Sequence, residues 1–159
     1  MTTLSEPTAA MTADELLEMP AVQLDALFQD RPAGDIPRGD SRGTIVALPG
    51  TRLARPLSRV LGLLFWQGKV FSPETQDLKN KILPFGLRAV RAETYTADSW
   101  LDGRPCVVLD YSRSSKVAGW IRDEIREISP GVYLGLVWGV GRVFRGRKLV
   151  LRFALTFRR

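Results

Sequence analysis

Histidine is absent from this sequence. That removes the usual general base near neutral pH and the commonest transition-metal ligand. Ser-His-Asp, Cys-His and His-metal chemistry are therefore excluded. Any proton transfer falls to a carboxylate, a tyrosine or a lysine with a shifted pKa. Cysteine occurs once, at position 106, so no internal disulfide can form. A lone thiol fits a reducing compartment. Cys106 lies in the run Cys106-Val107-Val108-Leu109 and reads as a small buried hydrophobe rather than a nucleophile. No run of about 18 apolar residues occurs, so no membrane-spanning helix is expected. The start Met1-Thr2-Thr3-Leu4-Ser5-Glu6 lacks a basic n-region and an apolar core, so it does not read as a signal peptide. A cytoplasmic location is expected. There is no internal repeat and no glycine-rich phosphate-binding motif, which argues against nucleotide-dependent catalysis.

What is present suits one domain of 159 residues. Hydrophobic residues make up 45%, enough for a core without disulfides or metal. No cofactor and no metal are expected. The net charge of +6 hides an asymmetry. Residues 1–36 hold one basic and seven acidic residues, a net of −6. The other 22 basic and 10 acidic residues give the body +12. An acidic head can dock onto such a body, and the body itself favours contact with anionic lipid or nucleic acid.

Residues 1–11 read as disordered. Thr12-Ala13-Asp14-Glu15 is a capping box, and a helical arm interrupted at Pro20 is expected over 13–29. Residues 31–42 read as a linker, so the chain divides into an arm at 1–36 and a β-rich domain at 37–159. Thr44–Leu48 is a strand candidate. Leu57, Val60, Leu61, Leu64 and Phe65 repeat at helical spacing from about Pro56 to Trp66. Residues 68–86 read as mostly loop. Strands are expected at 88–96 and 106–111, joined by a turn at Asp102-Gly103. Val117, Trp120, Ile121, Ile125 and Ile128 form the stripe of an expected helix ending at Pro130-Gly131. Two strands follow: Val132, Leu134, Leu136 and Trp138 alternate on one, Leu149 to Phe157 on the other, with a long loop at 139–148 between them. The fold class expected is mainly β (α+β), an antiparallel barrel or strongly curled sheet with inserted helices.

Gly39-Asp40-Ser41-Arg42-Gly43, an apolar helix, then Trp66-Gln67-Gly68-Lys69-Val70-Phe71-Ser72-Pro73-Glu74 form an ordered series. Leu109-Asp110-Tyr111, Trp120-Ile121-Arg122, Pro130 to Gly135 and Phe153-Ala154-Leu155 continue it. Matched in order over 39–157, the series resembles the GXWXG family of small, mostly uncharacterised bacterial proteins. Ser41 stands where that family has its naming tryptophan. The resemblance implies a lipocalin-like barrel and brings neither an established activity nor catalytic residues.

Several residues carry candidate chemistry. Trp66, Lys69 and Phe71 put a lysine among aromatics; inside a cavity its pKa would fall, and on a surface it would snorkel outward. Asp110 and Tyr111 end an apolar strand, where Asp110 either faces the interior with a partner or caps the next turn. Arg91, Glu93 and Tyr95 share one strand face, which reads as solvated, with a polar cavity lining as the alternative. Arg122, Asp123, Glu124, Arg126 and Glu127 read as the solvated face of a helix. Arg142, Arg145, Arg147 and Lys148 form a basic hairpin tip around Phe144, with no nucleic-acid motif beside it.

The function expected first is a barrel holding an apolar small molecule such as a lipid, terpenoid or polyketide, with Trp66, Lys69, Phe71, Tyr95, Trp120 and Trp138 as candidate ligand contacts. The second is a metal-free isomerase or cyclase in the same cavity, with Asp110, Tyr111 or Glu93 moving protons. The third is a peripheral protein docking on anionic surfaces.

Overall fold

Residues 10–64, 66–82, 87–116 and 118–158 are described in the computed structural model. The expectations for residues 1–9, Phe65, residues 83–86 of the expected loop and Val117 lie outside them. The chain forms the eight-stranded closed antiparallel barrel of a lipocalin-like fold, with each strand paired to the next and β1 to β8. The elements run α1 (Ala13–Glu18), α2 (Ala21–Gln29), β1 (Gly39–Val46), α3 (Ala54–Leu64), β2 (Trp66–Ser72), β3 (Asp77–Ile82), β4 (Leu87–Asp98), β5 (Pro105–Asp110), β6 (Ile121–Ser129), β7 (Val132–Gly141) and β8 (Gly146–Phe157).

The arm forms as its capping signals require. Thr12 accepts the Glu15 amide and Glu15 accepts the Thr12 amide. The arm lies on the outside of the barrel wall, where Leu16, Leu17, Leu24 and Phe28 are buried against Val108, Leu134, Leu136, Trp138 and Ala154. Polar contacts fix its place: Arg152 pairs bidentately with Asp25, Arg55 with Glu18, and Arg126 donates to the Phe28 carbonyl. A second core fills the barrel itself, built from Phe71, Leu78, Ala92, Leu109, Ile125, Phe153 and Leu155 among others.

Burial on both sides of the wall explains where the sequence reading fails. The expected helix at 117–128 is strand β6. Ile121, Asp123 and Ile125 face the interior, while Glu124, Arg126 and Ile128 lie under the outer layer. Both of its faces are buried and both carry charge, so no two-residue hydrophobic alternation survives. The charge run is therefore not solvated: Arg126 is fully buried and chelates Asp102 through Nη1 (2.6 Å) and Nη2 (2.9 Å). Glu124, equally buried, accepts from Ser99 Oγ (2.6 Å) and the Trp100 amide (2.8 Å).

The expected loop at 68–86 holds β2 and β3. The expected loop at 139–148 is ladder as far as Gly141 and Gly146, with one 3₁₀ turn, Arg142–Phe144, at its tip. The β7 stripe ending in Trp138 faces the arm rather than the barrel interior. A bulge opposite Val137 and Trp138 moves Leu149 to that outer layer as well.

Candidate functional site

Two bulges aim polar side chains into the barrel. In β2 the register shifts between Trp66 and Gly68, so Trp66 and Lys69, three apart, both face inward. Gly68 sits at φ 139°, and a Cβ there would come within 2.2 Å of the Ser41 carbonyl oxygen. In β4 the ladder skips Val90, a β-branched residue at φ 56°. Its carbonyl is held by Asn80 Nδ2 at 2.9 Å.

These side chains converge on Lys69 Nζ. It donates to Tyr111 OH (2.5 Å) and Asn80 Oδ1 (2.7 Å) and pairs with Asp123 Oδ2 (3.0 Å). Tyr111 OH also donates to Asp123 Oδ2 (3.1 Å), and Trp66 Nε1 to Asn80 Oδ1 (3.1 Å). The rings of Trp66, Tyr111 and Phe153 stand 5.3–5.4 Å from Nζ. Ser41 Oγ holds the Lys69 backbone, donating to its carbonyl (2.7 Å) and accepting from its amide (3.1 Å).

The cluster is almost closed to solvent, and burial governs its titration. Burial pulls the Lys69 ammonium below the usual lysine range, and the Asp123 carboxylate only partly offsets this. Burial, reinforced by the Asp123 charge, pushes Tyr111 well above the usual phenol value. Asp123 Oδ1 is buried without a hydrogen-bond partner among the described residues.

Beside this cluster β1 and β2 stay in contact through side chains rather than through a ladder. β1 and β2 share only the pairs Gly39–Phe71 and Asp40–Val70, and beyond them the ladder stops. A cavity of about 750 Å³ lies there beneath α3, lined by Arg42, Arg55, Ser58, Arg59 and Trp66 among others. Trp66 packs on Gly43, where a Cβ would meet the indole at 2.5 Å. One side chain thus both walls the cavity and bonds the cluster.

Of the candidates read from sequence, Trp66, Lys69 and Tyr111 meet in this cluster, and Phe71 lies further down the interior against Phe157. The others do not join them. Asp110 and Glu93 face each other across β4 and β5 on the outer wall. Asp110 Oδ1 accepts the Ser112 amide (2.9 Å), as a turn cap does, and its Oδ2 accepts from Tyr95 OH (2.8 Å). Burial raises the Asp110 pKa, but the bonds from Ser112 and Tyr95 outweigh it and the carboxyl titrates low. Burial pushes the Tyr95 phenol up to about 12, and the hydrogen bond to the Asp110 carboxylate and its charge act in the same direction. Trp120 stacks on Phe144 at the barrel end, and Trp138 meets Trp100 under the outer layer. Cys106 is buried, which raises its thiol to about 12 and leaves it inert. Asp123 and Asn80 are the residues sequence reasoning missed. Asp123 was hidden in a charge run and Asn80 in an expected loop; only the two-residue spacing from Asp123 to Ile125 hinted at an inward carboxylate. Among the described residues no group of three or more cysteine or acidic side chains is placed to hold a metal ion.

No family model matches the chain, and no curated protein matches it. A crystal structure of a protein from Thermomonospora curvata shares the fold, with a TM-score of 0.60 and 17% identity over 89% of this chain and 90% of its own. That likeness is one of fold alone.

Proposed function

We propose that the barrel binds an apolar small molecule of the lipid, terpenoid or polyketide kind, with its polar end at Lys69 and Asp123. An eight-stranded barrel is wide enough for packed side chains or for one small ligand. The observation that carries this reading is the ionic cluster with an unpartnered Asp123 Oδ1 in an otherwise apolar interior. An apolar filling of the same volume is often as stable as such a buried pair, so stability alone does not call for the cluster. The cavity beneath α3 supplies an approach, with Trp66 as the side chain a ligand would displace.

The test is native mass spectrometry of the purified protein, followed by displacement of a fluorescent fatty acid. The expected result is a discrete extra mass that vanishes on denaturation, and probe uptake weakened in Lys69→Met. A bare mass together with no probe uptake would overturn the proposal.

The buried proton network favours a second reading, a metal-free isomerase or cyclase. Tyr111 bridges a lysine of lowered pKa and a carboxylate, which is a route for moving one proton across a bound substrate. Substrate turnover by the wild type that Tyr111→Phe abolishes, with ligand uptake intact, would separate it from the carrier reading.

A further inference from the structure

The two ends of the barrel differ in charge. β1, β5 and β7 finish at one end, where the described connecting stretches are 47–64, 111–116, 118–120 and 142–145. Together these stretches hold seven lysines and arginines and no aspartate or glutamate. At the opposite end, residues 31–38, 73–76, 99–104 and 130–131 hold three cations and three carboxylates.

Exposed apolar side chains follow the same division. Ten large hydrophobic residues are markedly exposed among the described residues, and six of them lie in these cationic stretches. Val143 at the β7–β8 tip is 89% exposed and Leu63 on α3 is 71% exposed. At this end Glu18 of the arm pairs with Arg55 and Asp14 lines the same cavity as Arg55 and Arg59, while Arg52, Arg59, Arg142, Arg145 and Lys148 form no ion pair among the described residues.

We infer that this end of the barrel docks on an anionic lipid bilayer, with Val143 and Leu63 entering the interface and the surrounding cations meeting acidic headgroups. Cationic side chains interleaved with exposed aliphatic ones are the pattern of a peripheral membrane surface. Nucleic acid fits the charge but not the aliphatic side chains, because nucleic-acid interfaces are markedly polar. The same end carries α3, so a docked barrel holds the cavity beneath α3 close to the lipid.

The experiment is sedimentation with vesicles of phosphatidylcholine alone or mixed with phosphatidylglycerol, at low and high salt. The protein is expected to bind only the anionic vesicles, and to lose most of that binding as salt screens the headgroups. Replacing three tip cations, as Arg142→Gln, Arg145→Asn and Lys148→Gln, is expected to weaken partitioning on the order of 100-fold, about fivefold per charge. Asparagine is chosen at 145 because that residue has φ 53°. Val143→Asp, on a fully exposed tip, is expected to weaken binding while leaving the melting curve unchanged.

Absence of vesicle binding, equal binding to neutral vesicles, or wild-type binding by both variants would overturn the inference. So would a single-stranded oligonucleotide bound more tightly than the vesicles. The inference stands apart from the ligand reading: vesicle binding without ligand uptake sinks only that reading, and uptake without vesicle binding sinks only this one.

Discussion

Lys69 and Asp123 decide whether the barrel's interior is built for packing or for binding. Lys69→Met leaves a buried carboxylate without its cation, and a loss of roughly 3–5 kcal/mol is expected. Lys69→Met with Asp123→Leu removes both charges, while Tyr111 and Asn80 still pair with each other at 3.1 Å. Urea unfolding of the double variant is expected to recover most of that loss. A double variant as unstable as the single one would make the cluster a structural requirement. Asp102 offers a separate test through pH. Hydrogen bonds from Arg126 lower its pKa to about 2, from an ordinary 3.8. A depressed carboxyl pKa stabilises the fold above the unfolded value and ceases to do so as pH falls through the folded one. The stability gap between wild type and Asp102→Asn should include about 2 kcal/mol from this shift at neutral pH. That part fades between pH 4 and pH 2; a gap constant across the window would show that Arg126 does not hold the carboxylate.

The bulge in β2 is the device that turns Trp66 inward, and glycine makes it possible. Gly68→Ala places a Cβ against the Ser41 carbonyl in a backbone conformation that side chains avoid. A loss of about 2 kcal/mol or more is expected from strain and clash, read as a lower urea midpoint. An unchanged midpoint would mean that β1 and β2 separate easily at this point. Such devices also mark the limit of what the sequence makes legible. β7 and β8 are legible because their apolar alternation is long, and α1 because Thr12 and Glu15 form a reciprocal cap. β2 and β3 are not, because a bulge breaks the alternation in one and lysines and asparagine fill the other. β6 is misread because its buried charges imitate an exposed helix. Of the interior cluster, Trp66, Lys69 and Tyr111 are visible as unusual residues near apolar runs. Asp123 and Asn80 are not, since their partners lie on other strands and no spacing along the chain encodes the meeting.

The arm turns a barrel into a two-layered molecule, and the question is whether the barrel stands without it. Residues 1–36 carry a net −6, so their removal leaves a body of +12. Charge is the smaller part of the effect, because the Asp25–Arg152 and Glu18–Arg55 pairs are partly solvated. The larger part is apolar. Leu16, Leu17, Leu24 and Phe28 are buried almost completely, and each is worth roughly 1.5–3 kcal/mol by burial. Their loss bares Val108, Leu134, Leu136 and Trp138 on adjoining strands and strips the Phe28 carbonyl from buried Arg126. A chain beginning at residue 37 is therefore expected to expose a contiguous apolar face, bind a hydrophobic dye such as anilinonaphthalene sulfonate, and associate on size-exclusion chromatography. Phe28→Ala in the full chain is the milder form, with an expected loss of roughly 3–5 kcal/mol. A truncated chain that stays monomeric and melts as the full chain does would make residues 37–159 a self-sufficient domain, with the arm only a covering layer.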